Sequence, residues 1–186
     1  METSDYELVM RSRGGDDDAF RFLVERHSRT IYRAAYRITG NAADADDVVQ
    51  ESFLRAYRAL ARFDARAQFT TWLHRIVVNC ALDLIDARRR REGRIDDGED
   101  LGQLPSRAAS PDRIALGSEL QRAIETALDA LTGKERTAFV LRHFEGMPLE
   151  EIGGILGTQM NATKNTVFRA VRKLRQQLQP FTGTPV

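Results

Sequence analysis

The feature that most constrains this chain is an interruption. Between two long stretches patterned for helices lies a tract, Gly93 to Ala115, holding Gly93, Gly98, Gly102, Pro105, Ser106, Ser110 and Pro111 together with Asp96, Asp97, Glu99 and Asp100. Each glycine costs a helix interior about 1 kcal/mol and each proline about 3, so neither neighbouring helix can run through it. Ile95, Leu101 and Leu104 are too sparse to build a core. The tract reads as a flexible acidic linker. A chain of 186 residues suffices for one ordinary domain or two small ones, so the divisions are 1–92, the linker 93–115, and 116–186.

On both sides the apolar spacing is three and four residues. Asp18 is placed to cap a helix carrying Phe20, Leu23, Val24, Ile31, Ala34, Ala35 and Ile38 up to a stop at Gly40. Asn41 can cap a second, with an inner stripe of Val48, Val49, Phe53, Ala56, Tyr57 and Leu60. Phe69 to Arg91 gives a third, with Trp72, Leu73, Ile76, Val77, Cys80 and Leu84 inward. After the linker, Ile114 to Leu131 is amphipathic, and Thr132 with Glu135 has the form of a capping box. Alternating runs that would mark strands are absent. The expected fold is all-α, two small helical domains on one tether. No apolar run approaches the ~18 residues of a bilayer span, and residues 1–13 lack a secretory pattern, so a cytoplasmic protein without membrane insertion is expected. The lone Cys80 has no disulfide partner.

A net charge of +1 means little until the charges are located. Residues 160–179 hold Lys164, Arg169, Arg172, Lys173 and Arg175 and no acid. This cationic stretch closes a helix-turn-helix pattern. Pro148 suits a first helical turn, Ile152, Ile155 and Leu156 face inward, Gly153 permits close helix approach, and Gly157 turns the chain. From about Asn161 a second helix carries Thr163, Val167, Ala170, Val171, Leu174 and Leu178 on one stripe. A solvated surface helix would show similar charge, but the preceding short helix and glycine turn favour duplex DNA. Docking geometry nominates Asn161, Thr163, Lys164, Asn165 and Phe168 for base edges, and Arg169, Arg172 and Lys173 for phosphates.

The first unit has two unlike surfaces. Asp44, Asp46 and Asp47 precede Val48 and Val49, with Gln50 and Glu51 next. Acids in a first helical turn are favoured by the helix dipole. A metal-dependent enzyme using these acids and His27 is the sharper rival, yet no glycine loop or further oxygen-ligand pattern accompanies them. From Arg62 to Arg91, aromatics (Phe63, Phe69, Trp72) alternate with bases (Arg62, Arg66, His74, Arg75) and polar groups (Gln68, Thr70, Thr71, Asn79). Stacking of unpaired bases, worth ~1–3 kcal/mol each, suits such a mixture. The same aromatics are also spaced for a helical core.

Three strings now carry a resemblance: Ala42-Asp-Ala-Asp-Asp-Val-Val-Gln-Glu-Ser-Phe-Leu-Arg-Ala-Tyr-Arg, Phe69-Thr-Thr-Trp-Leu-His-Arg-Ile-Val-Val-Asn, and Leu149-Glu-Glu-Ile-Gly-Gly-Ile-Leu-Gly. Together they resemble the extracytoplasmic function group of bacterial sigma-70 type transcription initiation factors, over about Ala19 to Leu178. The resemblance implies a sigma-2-like domain that binds core RNA polymerase and opens the -10 promoter element, and a sigma-4-like domain that reads the -35 element. It places Asp44, Asp47, Val48, Gln50, Glu51 and Phe53 against the polymerase clamp helices. It assigns Arg62, Phe63, Gln68, Phe69, Thr70, Thr71, Trp72, Arg75 and Asn79 to -10 DNA, with the loop 63–71 forming a pocket for a flipped base. The linker would follow the active-site cleft and RNA exit channel, and an anti-sigma factor is the implied antagonist.

One departure is visible. Where the family usually begins its recognition helix Gly-Thr-Val, this chain has Asn161-Ala162-Thr163, and a commonly basic position is Thr166. The stripe Val167, Val171, Leu174 is intact, so the departure bears on base preference and leaves the docking mode. No phosphate-binding glycine loop followed by Lys is present, so promoter melting is expected to draw on trapped bases and not on nucleotide hydrolysis; an initiation factor of this kind is expected to have no enzymatic activity, cofactor, metal or small-molecule substrate. The remaining alternative is a two-domain helix-turn-helix regulator acting without a holoenzyme.

Overall fold

The computed structural model describes residues 3–64, 68–91 and 118–182. The expected linker 93–115 lies outside them, as does part of the loop 63–71. The described residues form helices and no sheet.

α1 (Asp5–Arg13) is a short helix that the apolar spacing does not announce. Its signal is a capping box, Ser4 with Glu7, and only Leu8 and Val9 of it are buried. Asp5 then ties it to α2 (Asp17–Thr39), accepting from Arg26 Nη1 at 2.6 Å and facing His27 Nε2 at 2.9 Å. The cap of α2 is Asp16, not Asp18: its Oδ1 accepts from Ala19 N at 3.0 Å. In a run of three aspartates each can cap, and burial of Ala19 selects the register. Gly40 ends α2 at φ 71°, a left-handed conformation that favours glycine. Asn41 caps α3 (Ala42–Ala59), as expected. A single 3-10 turn, Leu60–Arg62, leads toward α4 (Phe69–Arg91).

α2, α3 and α4 pack on one another around Leu23, Ile31, Ile38, Val48, Leu73, Val77 and Val78, all at most 2% exposed. Truncating one such side chain to Ala would cost about 2–5 kcal/mol. Tyr57 leaves the expected inner stripe: it is 49% exposed, and its hydroxyl donates to Asp17 at 2.8 Å.

The second unit comprises α5 (Ser118–Asp129), α6 (Gly133–His143), α7 (Leu149–Leu156) and α8 (Met160–Thr182). The Thr132–Glu135 capping box forms in both directions. Ala127, Leu128 and Leu131 pack with Ala170 and Leu174 of α8 as a small core. The other face of this unit is not separate from the first: Ala138, Val140, Leu141, Met147 and Ile152 join the core of α1–α4.

Candidate nucleic-acid interface

In the helix-turn-helix, α7 stops at Gly157, φ 63°, and α8 begins three residues on. Gly153 is required by contact: an added Cβ would stand 2.8 Å from the Thr158 carbonyl oxygen and 2.9 Å from Thr163 Oγ1. Thr163 is therefore not a base-reading residue. It is fully buried, sharing a hydrogen bond with Thr158 Oγ1 at 2.8 Å and donating to the Gln159 carbonyl at 3.1 Å. Its place on the apolar stripe was the correct half of the sequence reading. Asn161, Lys164, Asn165 and Phe168 are exposed and, at helical spacing, share one face; Phe168 is 64% exposed.

The cations divide. Lys173 Nζ lies 2.7 Å from Glu135 Oε2, and Arg169 Nε lies 3.6 Å from Oε1 of the same carboxylate. Glu135 is 4% exposed. Burial works to raise its pKa, but Lys173 and the Thr132 cap outweigh it and hold the carboxyl below its ordinary value. Lys173 thus joins α8 to α6 before it meets any phosphate, whereas Arg172 and Arg175 are exposed.

In the first unit the aromatics resolve mostly into core. Phe63 and Phe69 are 5% and 4% exposed and meet edge to face at 5.9 Å. They are not stacking platforms; they seat Trp72, half-buried at 4.9 Å from Phe63 and 5.6 Å from Phe69. Gln68, Arg75 and Asn79 are exposed and Thr71 is half-buried, at positions that fall along one polar face of α4. Thr70 is half-buried and Arg62, in the 3-10 turn, is exposed. His74 turns inward: it is 3% exposed, and its Nε2 lies 3.1 Å from Glu145 Oε2.

The acidic helix start also changes meaning. Asp44 is held by Arg88 of α4 at 2.6 Å, and Val48 and Phe53 are 2% and 8% exposed. These three hold the unit together; Val48 is core, not contact surface. Glu51 is paired with Arg55 at 2.7 Å. What α3 offers outward is Asp46, Asp47, Gln50, Leu54 and Tyr57. Leu54 and Tyr57 with Phe20, Val24, Val49 and the edge of Phe53 line a groove between α2 and α3 of about 650 Å³. Leu54 was missed because the strong stripe hides a second one, Gln50, Leu54, Tyr57, at four- and three-residue spacing. His27 faces Asp5 while Asp44 holds Arg88, and no three metal-ligating side chains converge among the described residues.

Two family models match the two units: sigma-70 region 2 over residues 23–91 and sigma-70 region 4 over residues 121–174. This pairing of regions defines the sigma-70 class of transcription initiation factors. The RNA polymerase sigma-H factor of Pseudomonas aeruginosa is 34% identical over 97% of this chain and 96% of its own length. The ECF sigma factor SigW of Bacillus subtilis is 32% identical over 96% of this chain and 98% of its own. ECF sigma factor SigE of Mycolicibacterium smegmatis is 37% identical over 84% of this chain, which spans 60% of that relative. Among solved structures, CnrH in complex with the cytosolic domain of CnrY superposes with a TM-score of 0.68 at 29% identity, over 96% of this chain and 99% of that one. RpoE of Bartonella quintana, solved with the anti-sigma factor NepR, shares the fold with a TM-score of 0.66 at 20% identity, over 86% of this chain and 96% of its own. The chain belongs to the extracytoplasmic function group of sigma-70 type RNA polymerase sigma factors. It is a transcription initiation factor that directs RNA polymerase to promoters.

Proposed function

We propose that the two units divide the work of initiation. Residues 1–92 grip core polymerase through the α2–α3 groove and capture the opened -10 element on the polar face of α4. Residues 116–186 read the -35 element with Asn161, Lys164, Asn165 and Phe168, while Arg172 and its neighbours hold phosphates. The observation that carries this reading is the presence on one chain of two separate polar, cation-bearing helix faces beside an apolar groove. A lone DNA reader needs one such face and no groove. Acidic Asp46 and Asp47 near the groove would complement a basic partner and set its orientation and on-rate. Linking two DNA contacts on one chain makes the second effectively intramolecular.

The protein does no covalent chemistry in this scheme; duplex opening draws on trapped bases and acts in the cytoplasm. No described helix is long and apolar enough to cross a membrane. An anti-sigma factor is the expected antagonist, since solved relatives are held by CnrY and by NepR. The test is a run-off assay with core polymerase and a promoter library. Leu54→Asp with Tyr57→Asp, both exposed, should abolish holoenzyme formation while the circular dichroism spectrum stays unchanged. Specific DNA binding with no run-off product would favour the stand-alone regulator.

A further inference from the structure

The cations of α8 do not all face DNA on equal terms, because a carboxylate from another helix lies against two of them. Residues 160–179 carry five basic side chains and no acid, so a neutralising charge must come from elsewhere in the chain. It comes from Glu135, in the first turn of α6. Its Oε2 accepts from the Thr132 backbone N–H at 3.1 Å and from Lys173 Nζ at 2.7 Å, and its Oε1 lies 3.6 Å from Arg169 Nε. The capping box fixes this carboxylate in place, since swinging toward solvent would leave the cap's backbone N–H unpaired. The Glu135 side chain is only 5% exposed, whereas those of Lys173 and Arg169 are 38% and 58% exposed. The acid is therefore buried beneath cations that a phosphate could still reach.

A cation adds duplex affinity by releasing the counterions condensed on phosphates, and each neutralised phosphate adds about 0.9 to the salt slope. This term ignores sequence and supplies essentially all of non-specific binding. An ammonium 2.7 Å from a fixed carboxylate is half of a neutral pair. To neutralise a phosphate, Lys173 must first leave a buried charge, which offsets what the phosphate returns. Exposed Arg172, the next residue along α8, stands outside the contacts of Glu135.

We propose that Glu135 is a charge brake on the recognition helix: by neutralising Lys173 it holds the non-specific duplex affinity of α8 below what its cations would give, so the factor does not linger on promoter-free DNA. This rests on the assignment of α8 to duplex DNA. The test uses the full chain and a labelled mixed-sequence duplex, with affinity read by fluorescence anisotropy across a salt series. Glu135→Gln keeps the side chain's size and an acceptor for the Thr132 N–H but removes the charge. It should steepen the salt slope by about 0.9 and, taking equal affinity at about 1 M salt, bind about fivefold more tightly at about 0.15 M. The double variant Glu135→Gln with Lys173→Gln loses both charges and should return to the parental slope. Unchanged or weaker binding by folded Glu135→Gln overturns the brake, and a gain that persists in the double variant overturns the role of Lys173. If Glu135→Gln does not fold, acetylation footprinting of the parent decides: the duplex should protect Lys164 and leave Lys173 unchanged, and protection of Lys173 overturns the brake. Arg172→Ala reads the underlying assignment. A slope that it fails to lower overturns the placement of α8 on duplex DNA, and the brake with it; a lowered slope beside an unaltered Glu135→Gln overturns the brake alone.

Discussion

The neighbouring glycines of α7 allow one structural claim to be tested with its own control. Gly153→Ala places a Cβ 2.8 Å from a backbone oxygen and 2.9 Å from a buried hydroxyl, closer than carbon can stand, so the α7–α8 contact must shift. Overpacking of this kind costs about 1–3 kcal/mol. Gly154→Ala meets only the mobile end of Arg75, at 3.3 Å, which can move aside. Both changes gain the same helix propensity, about 1 kcal/mol, so the difference between them isolates the packing cost. Taking about 2 kcal/mol for it, and about 2–4 °C per kcal/mol for a chain of this size, the two thermal midpoints should differ by roughly 4–8 °C. Gly154→Ala should lie above the parent and Gly153→Ala at or below it. Only Gly153→Ala should weaken duplex binding, because it moves the recognition helix against its support. Equal upward shifts in both variants would refute the claim that Gly153 sets the approach of α8.

Other expectations concern charge and the α4 face. Lys173→Ala should lower the urea midpoint by the equivalent of roughly 1 kcal/mol, because buried Glu135 loses a partner; Arg172→Ala should leave stability within about 0.5 kcal/mol while reducing the salt slope of duplex binding by about 1. The His74 pKa is raised: burial opposes its charge, but Glu145 and the Thr70 carbonyl outweigh that. The stability it contributes is therefore complete below its unfolded value of about 6.5 and lost as pH rises through the higher folded value. The thermal midpoint of the parent should fall across that window relative to His74→Gln. Asn79→Ala, at an exposed site, should slow promoter opening, read by permanganate footprinting, more than it weakens polymerase binding; equal losses would mark the residue as structural.

Much of the architecture was legible in the sequence because its signals are local. Gly40 and Gly157 stop helices by their own backbone freedom, Asn41 and the Thr132–Glu135 pair cap the helices that follow them, and residues 69–91 form the helix their spacing announces. The helix-turn-helix was readable for the same reason. The failures occur where two readings share one period. Phe63, Phe69 and Trp72 could stack on bases or on each other, and Val48 and Phe53 sit in a recognised motif while facing the core. Thr163 fits both the stripe and the base-reading turn until Gly153 is seen beneath it.

Sequence alone determined most of the helices and the family, since the signals for each lie in residues within a few turns of one another. Only the tertiary structure decided which faces stay open. Lys173 is engaged because Glu135 arrives from 38 positions away. Leu54 lies in a groove because α2 lies beside α3. The meeting of Arg136 with the end of α2 joins residues 99 positions apart. A helix's periodicity fixes which residues share a face, but the partner that covers that face comes from elsewhere in the chain.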